Sequence, residues 1–201
     1  TELAALARRH GRRLMVRLVK GAYWDAEIKR AQELGLAGYP VWTHKHHTDM
    51  AYLACAEQLL AAPDCFYPQF ATHNAATLAA LMELADHAPA LPPGAHPDRF
   101  ELQRLHGMGE AVHRELQKAP GAPALRVYAP VGPHRDLLAY LVRRLLENGA
   151  NSSFVHQLAD SSVSPEELLA SPLYVAAASG VVLPPELYGT QRRNSAGLDL
   201  A

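Results

Sequence analysis

The sequence lacks the features that define several specialised classes of protein. Its 201 residues include two cysteines, Cys55 and Cys65, which are too few for a disulfide framework and have no metal-ligand spacing. This content favours a reducing, cytosolic setting. No apolar run approaches the roughly 20 residues that a membrane-spanning helix needs. The opening TELAALARRHGRRL is typical of an amphipathic helix end and not of a signal peptide, so any membrane contact is expected to be peripheral.

The sequence also lacks an excess of charge of either sign. Lys and Arg number 19 and Asp and Glu number 20, which leaves a net charge of −1 and no field that would attract nucleic acid. No G-x-G-x-x-G motif lies between a strand and a helix, which weighs against a classical dinucleotide-binding fold. A composition of 49% hydrophobic and 19% charged residues is that of an ordinary globular domain.

What the sequence does contain is a strand-then-helix unit repeated four times. After an opening helix, period-2 and helical patterns predict the strands at 14–19, 65–72, 100–107 and 125–132. They predict the helices at 24–33, 48–62, 74–88, 107–119 and 134–150. Thr48 or Asp49 and Asn74 are expected as N-caps, and Gly149 as a helix stop. Successive units of this kind indicate an α/β fold with a parallel sheet.

Single polar residues near the carboxyl ends of these strands favour a (βα)8 barrel, whose active site lies at that end, over an open doubly wound sheet. Four units are half of eight, and a half barrel leaves two sheet edges unpaired. We therefore expect a fragment of a longer polypeptide: the C-terminal half of a TIM-type barrel at 1–155, a helical and loop extension at 156–183, and a linker at 184–201. A short helix capped near Ser164 is expected within the extension.

The segment RLVKGAYW, residues 17–24, is the first that suggests chemistry. Arg17 and Lys20 supply two cations, Gly21 allows a close backbone approach and Trp24 offers a stacking surface. This set suits an anionic planar ligand such as a nucleotide or flavin. The alternative is a pair of solvated charges at a strand end beside a tryptophan that covers the core.

The segment FATHN, residues 70–74, is the second. Thr72, His73 and Asn74 can hydrogen-bond a phosphate or a ring edge, and the helix that starts at Asn74 presents free N–H groups to an anion. The alternative is a plain N-cap, and one asparagine can serve both purposes.

The helix containing LVRRLLENG has two adjacent arginines, Arg143 and Arg144, among leucines. Bidentate contacts to a substrate carboxylate would give them an anion to bind, whereas the alternative is a pair of ordinary surface ion pairs. Tyr128 could close a pocket over a small apolar ring and Gln103 could meet a flavin, although either could be a core residue with a satisfied polar end. The histidines of THKHH, residues 43–47, are expected in a loop and not to bind zinc.

Five segments of the sequence, in order, resemble strands 5 to 8 of the proline dehydrogenase barrel in the bifunctional proline utilization A (PutA) family. They are RLVKGAYW, YPQFATHN, FELQRLHGMGE, RVYAPVG and LLAYLVRRLLENGANSSFV. The tail LYGTQRRNSAGLDLA resembles the connection to that family's aldehyde dehydrogenase domain. The resemblance implies FAD and the oxidation of L-proline to Δ1-pyrroline-5-carboxylate by hydride transfer. It also implies a membrane quinone as electron acceptor, a cytoplasmic protein peripheral to the inner face of the membrane, and a missing N-terminal half barrel.

The resemblance also implies roles for individual residues. Arg17, Tyr128, Arg143 and Arg144 are the expected catalytic residues. The substrate would contact Leu18, Tyr23, Tyr128, Arg143 and Arg144. The expected flavin contacts are Arg17, Val19, Lys20, Gly21, Ala22, Trp24, Thr72, His73, Asn74, Gln103, Glu147 and Phe154. No metal is expected.

Two other functions fit the same sequence. One is a half-barrel module without catalytic activity that assembles with a partner chain. The other is a different barrel enzyme that binds phosphorylated substrates through Lys20 and the helix start at Asn74.

Overall fold

The computed structural model describes residues 2–21, 23–90, 98–149, 157, 160–174, 180–195 and 197. The chain divides into two compact units. The first unit consists of Thr1–Lys20 and Ala51–Leu169, and the second of Gly21–Met50 and Ala170–Ala201. Among the described residues, no helix combines the length and the apolar character needed to cross a membrane.

The first unit is built on a four-stranded parallel sheet whose strands follow the chain order. The strands are β1 (Leu14–Leu18), β2 (Phe66–Ala71), β3 (Glu101–Leu105) and β4 (Ala124–Tyr128). The helices of this unit are α1 (Glu2–Arg9), α4 (Ala75–His87), α5 (Glu110–Leu116), α6 (His134–Gly149) and α7 (Pro165–Leu168). Helix α3 (Lys45–Leu60) contributes its residues from Ala51 onward to this unit. The predicted strand-then-helix order and parallel sheet are confirmed.

Apolar residues on one face of the sheet pack against α3 and α4. Residues in alternate strand positions share a face, so β2 and β3 direct Phe70 and Leu102 toward these helices. The rings of Phe70 and Phe100 meet edge to face with centroids 5.5 Å apart. Each fully buried side chain of this size contributes about 1.5–3 kcal/mol. The buried core consists of Tyr52, Ala56, Leu60, Phe70, Leu78, Leu81, Ala85, Phe100 and Leu102.

The opposite face of the sheet is polar across all four strands. The register pairs Arg17 with Gln69 and Gln69 with Glu101, and it pairs Gln103 with Arg126. Side chains at paired positions of neighbouring parallel strands lie on the same face of the sheet. This face is called the polar face below, and it carries the side chains that matter most for the site.

The second unit is built around α2 (Trp24–Glu33), to which the C-terminal segment is hydrogen-bonded. The Asn194 amide donates to the Gln32 carbonyl at 2.7 Å, and the Gly197 N–H donates to the Leu34 carbonyl at 3.1 Å. The Tyr39 hydroxyl donates to the Val182 carbonyl at 2.7 Å. Turns of 3₁₀ helix form at Pro172–Tyr174, Pro184–Glu186 and Gly189–Gln191. That 184–201 leads to another domain stays a prediction.

The start of α3 corrects the sequence interpretation. The helix begins at Lys45, so neither Thr48 nor Asp49 is its N-cap, and His46 and His47 are helical and not in a loop. Lys45 donates to the Asp49 carboxylate at 2.7 Å, an i, i+4 ion pair that spans the first turn. The N-caps at Asn74 and Ser164 are confirmed, because their side chains accept from the N–H groups of Thr77 and Glu167.

Candidate functional site

The carboxyl ends of the four strands bring Arg17 to residues from two distant parts of the chain. From β1, its Nε donates to Oε1 of Gln103 on β3 at 2.8 Å, across the intervening strand β2. The guanidinium carbon also lies 5.0 Å from the centroid of the Tyr128 ring, at the end of β4, within the range of a cation–π contact. Arg17 is therefore held at both sides of an otherwise exposed position.

Helix α6 adds Arg144 to this group. Burial raises the pKa of the Tyr128 hydroxyl, and the positive charges of Arg17 and Arg144 oppose that rise. Arg144 is also among the cations that act on His73. Its guanidinium carbon lies 5.2 Å from the ring centroid of Tyr140, one helical turn earlier. The half-buried Arg144 side chain thus lies within electrostatic range of residues from the ends of β2 and β4.

His73 is a neutral hydrogen-bond donor at this end of the sheet. Burial, with smaller contributions from His113, Arg104 and Arg144, lowers its pKa to about 4. The Leu105 backbone N–H donates to its Nε2 at 3.0 Å. Because that nitrogen must accept, the neutral ring carries its proton on Nδ1. Nδ1–H is then able to donate to a ligand.

Lys20 follows β1, and its side chain reaches the N-terminus of α4. Its ammonium donates to the Thr77 hydroxyl at 3.0 Å and lies 5.6 Å from the centroid of the Tyr52 ring. Oδ1 of Asn74 accepts from the Thr77 N–H at 2.8 Å, and the Asn74 N–H donates to the Thr72 hydroxyl at 3.2 Å. A lysine beside the positive end of a helix dipole favours a bound anion.

A buried carboxylate lies beneath Gln103 on the polar face. Glu101 is 3% exposed and accepts from Gln69 at 2.8 Å, from Gln103 at 2.7 Å, and from Arg126 at 2.7 and 2.8 Å. The hydrogen bonds from Arg126 are the main reason that the pKa of Glu101 is lowered. Glu101 is therefore ionised at neutral pH.

The predicted residues fall into three sets. Arg17 contacts Gln103 and Tyr128, the charge of Arg144 acts on Tyr128 and His73, and Lys20, Thr72 and Asn74 lie around the start of α4. Gln103 was predicted at the carboxyl end of β3, but it lies in the middle of that strand. Its side chain nevertheless reaches Arg17. Leu18 packs against the hydrophobic core, Val19 is exposed and Arg143 is half-buried in α6.

The remaining predictions lie in the second unit or outside the described residues. Gly21, with φ of 98°, Tyr23 and Trp24 belong to the second unit, where the Trp24 indole donates to the Trp42 carbonyl at 2.8 Å. Their approach to Arg17 stays a prediction. Ala22, Phe154 and the Glu147 side chain lie outside the described residues.

The sequence interpretation did not identify three residues of this arrangement, which are Glu101, Arg126 and Tyr140. Glu101 stands two positions before Gln103, and period 2 places both on one strand face. Arg126 follows from the register of β4 with β3, which only the sheet reveals. Tyr140 precedes Arg144 by four residues, the spacing that brings helical side chains together.

His44, which precedes α3, and His46 and His47 in its first turn approach one another, with ring centroids between 4.3 and 5.4 Å apart. In the part of the chain that the structure describes, no group of three or more His, Cys, Asp or Glu side chains is arranged to hold a metal ion.

Comparison with known proteins identifies relatives of the chain. The model of the family described as proline dehydrogenase matches residues 1–157. The bifunctional protein PutA of Escherichia coli K12 is 54% identical over 215 residues, covering 99% of this chain and 16% of that protein. The proline dehydrogenase of Deinococcus radiodurans is 33% identical over 144 residues, covering 71% of this chain and 39% of that protein.

Solved structures give the same result. A crystal structure of a mutant of proline utilization A (PutA) from Bradyrhizobium japonicum superposes with a TM-score of 0.85 at 56% sequence identity. That match covers 96% of this chain and 20% of the other. The chain thus spans 16% of the length of the E. coli relative and 20% of the length of this structural one. With a family model that matches most of its length and PutA proteins more than half identical to it, the chain belongs to the proline dehydrogenase family.

Proposed function

We propose that the chain forms part of an FAD-dependent proline dehydrogenase, in which it holds the flavin and the carboxylate of L-proline. The observation that carries this proposal is the contact of Arg17 with Gln103 and Tyr128 on a parallel sheet, with Arg144 within electrostatic range of both His73 and Tyr128. Membership of the family supplies the reaction, L-proline to Δ1-pyrroline-5-carboxylate, which removes a hydride from the ring carbon beside the nitrogen.

The donors of this group fit a flavin. A flavin ring presents carbonyl oxygens and ring nitrogens, which His73 Nδ1–H and the Arg17 guanidinium can meet as donors. The diphosphate of FAD suits Lys20 together with the N-terminus of α4. FAD, when bound, supplies the acceptor for the hydride. We assign Arg17, Val19, Lys20, Gly21, Ala22, Trp24, Thr72, His73, Asn74, Gln103, Glu147 and Phe154 to its binding.

The substrate end of the site is assigned to α6 and β4. Arg144 and Arg143 bind the proline carboxylate, and the electrostatic influence of Arg144 on Tyr128 supports its position at the site. Tyr128 packs over the pyrrolidine ring with Leu18 and Tyr23. Arg17, positioned by Gln103, stabilises the negative charge that arrives with the hydride. The amine only has to lose its proton, so orientation of the reacting carbon is the main task of these residues.

We further propose that the four strands are the second half of a (βα)8 barrel within a longer polypeptide. The sheet with its strands in chain order and the PutA relatives support this. The first half of the barrel and an aldehyde dehydrogenase domain would belong to the same polypeptide. Electrons would pass to a membrane quinone, with the protein at the periphery of the membrane.

The test uses the purified full-length polypeptide that contains this chain, under anaerobic conditions. We expect a yellow protein whose flavin absorbance is bleached by L-proline and is not bleached by D-proline, whose carboxylate is attached with the opposite chirality. A protein that stays colourless after addition of FAD would contradict flavin binding. A yellow protein that L-proline leaves oxidised would contradict the reaction but not the cofactor.

A further inference from the structure

A chain of hydrogen bonds connects Arg17 to a buried carboxylate on the polar face. Arg17 Nε donates to Gln103 Oε1 at 2.8 Å, and Gln103 Nε2 donates to Glu101 Oε1 at 2.7 Å. Arg126 neutralises Glu101 from the other side through two hydrogen bonds of 2.7 and 2.8 Å. Arg126, Glu101 and Gln103 therefore form a series of hydrogen bonds that ends at Arg17.

The order of donors and acceptors leaves Gln103 a single orientation. The ionised carboxylate of Glu101 only accepts hydrogen bonds, so it must face the amide nitrogen of Gln103. The Arg17 guanidinium only donates, so it must face the amide oxygen. Turning the amide over would place two oxygens against each other at Glu101 and two donors against each other at Arg17. The carboxylate thus decides which end of Gln103 is presented to Arg17.

We propose that Glu101 is a positioning residue that acts through Gln103 to fix the direction of the Arg17 guanidinium toward the flavin. This inference rests on the proposed function and extends it to a residue that contacts neither flavin nor substrate. The 3% exposure of Glu101 and its pairing with Arg126 keep the carboxylate in place without solvent. Because the Arg126 side chain is 58% exposed, the ion pair itself contributes little to stability, which leaves its orienting effect as the distinguishing property.

The test measures the electrostatics of the flavin in the full-length flavoprotein. Sulfite adds reversibly to oxidised flavin and forms an anion, so its dissociation constant reports how well a nearby cation is placed. Glu101→Gln replaces the acceptor with an amide that can also donate, so Gln103 is no longer held in one orientation. We expect the sulfite dissociation constant to rise and the anaerobic reduction by L-proline to slow, each about tenfold. The dissociation constant of a proline analogue that keeps the five-membered ring and the carboxylate but lacks the ring nitrogen should stay within twofold of the wild-type value.

A double-mutant cycle with Gln103→Leu tests whether Glu101 acts through Gln103. If it does, Glu101→Gln has less than a twofold effect on sulfite binding once Gln103 is leucine. Independent effects that multiply would overturn the proposal. Gln69→Leu is the matched control, because it removes another donor to the same Glu101 oxygen while keeping the hydrogen bonds from Arg17 to Gln103 and from Gln103 to Glu101. It should leave sulfite binding within twofold of wild type.

The outcomes separate this inference from the proposed function. A wild-type protein that L-proline does not reduce contradicts the function itself. A working wild type with Glu101→Gln unchanged in sulfite binding contradicts only the role of Glu101. Glu101→Gln could be recovered without flavin. In that case the double variant Glu101→Gln with Arg126→Gln, which restores the charge balance, is measured instead. Its sulfite dissociation constant should rise about tenfold, and an unchanged value would contradict the role of Glu101.

Discussion

The Cα of Gly109 faces the edge of the His73 ring so closely that a β-carbon there would lie 2.9 Å from His73 Cδ2. Gly109 is the N-cap of α5 with φ of 62°, in the left-handed region. The His73 ring cannot readily move away, because its Nε2 is held by the Leu105 N–H. A glycine on α5 therefore preserves the position of a predicted flavin ligand on the loop after β2.

Gly109→Ala should both destabilise the chain and disturb the site. The left-handed backbone costs alanine about 1–2 kcal/mol, and forcing the ring aside adds roughly 1–3 kcal/mol. Gly107→Ala is the matched control, since its φ of 82° is strained too but its added β-carbon would meet nothing within 4 Å. Urea denaturation should show the larger loss for Gly109→Ala. Equal losses in the two variants would mean that the contact with His73 is unimportant.

His73 should make stability depend on pH in the acid range. Burial lowers its pKa to about 4 from the ordinary 6.5. As the pH falls below 6.5 the unfolded chain takes up a proton at this ring, and the folded chain does not until about 4. Its contribution to the free energy of unfolding is therefore complete above pH 6.5 and is lost as the pH falls toward 4.

The measurement is the difference in the free energy of unfolding between wild type and His73→Gln, from urea titrations at several pH values. This difference should decrease by on the order of 1 to 2 kcal/mol as the pH is lowered from neutral toward 4.5. A constant difference for His73→Gln would show that the folded ring takes up its proton normally.

The two possible roles of Asn74 can be separated by substitution. Asn74→Ala removes the cap of α4 and should lower the free energy of unfolding by about 1 kcal/mol. Asn74→Asp keeps an acceptor for the Thr77 N–H, so stability is retained, but its negative charge should weaken FAD binding at least tenfold. Ser164→Ala removes the capping box of α7 and should leave FAD affinity unchanged. Normal FAD affinity in Asn74→Asp would leave Asn74 as a cap only.

The sequence was sufficient to predict the strand and helix order, because each element carries its own periodicity. Helix α2 matches its predicted bounds at both ends, and β1 differs by one residue. The start of α3 was missed because THKHH has no apolar period, and the Lys45–Asp49 pair that spans its first turn is visible only in the structure. The hydrogen bonds of the C-terminal segment to α2 could not be predicted, since irregular chain carries no periodic signal of its partner.

The placement of Arg17, His73 and Tyr128 near strand ends was predictable from the sequence, whereas their roles in a site stay predictions. The site was not predictable where the function of a side chain depends on register. Glu101 and Arg126 meet only because β3 and β4 pair with Gln103 opposite Arg126. The contact of Arg17 with Gln103 likewise requires β1 and β3 to lie on either side of β2.

Arg144 is the residue whose removal should separate substrate binding from flavin binding. Its guanidinium lies against the Tyr140 ring, and its charge acts on Tyr128. In the full-length protein, Arg144→Ala should raise the KM for L-proline about a hundredfold, because a desolvated partner of the carboxylate is worth a few kcal/mol. The FAD content should stay at the wild-type level.

Arg135→Ala is the control for this prediction, because it removes an exposed arginine from the first turn of the same helix. It should leave both KM and FAD content unchanged. Arg144→Lys keeps the charge but not the two parallel N–H groups, so its KM should fall between those of wild type and Arg144→Ala. If KM is unchanged in Arg144→Ala, the carboxylate is bound elsewhere. If FAD is lost together with proline binding, Arg144 supports the cofactor and not the substrate alone.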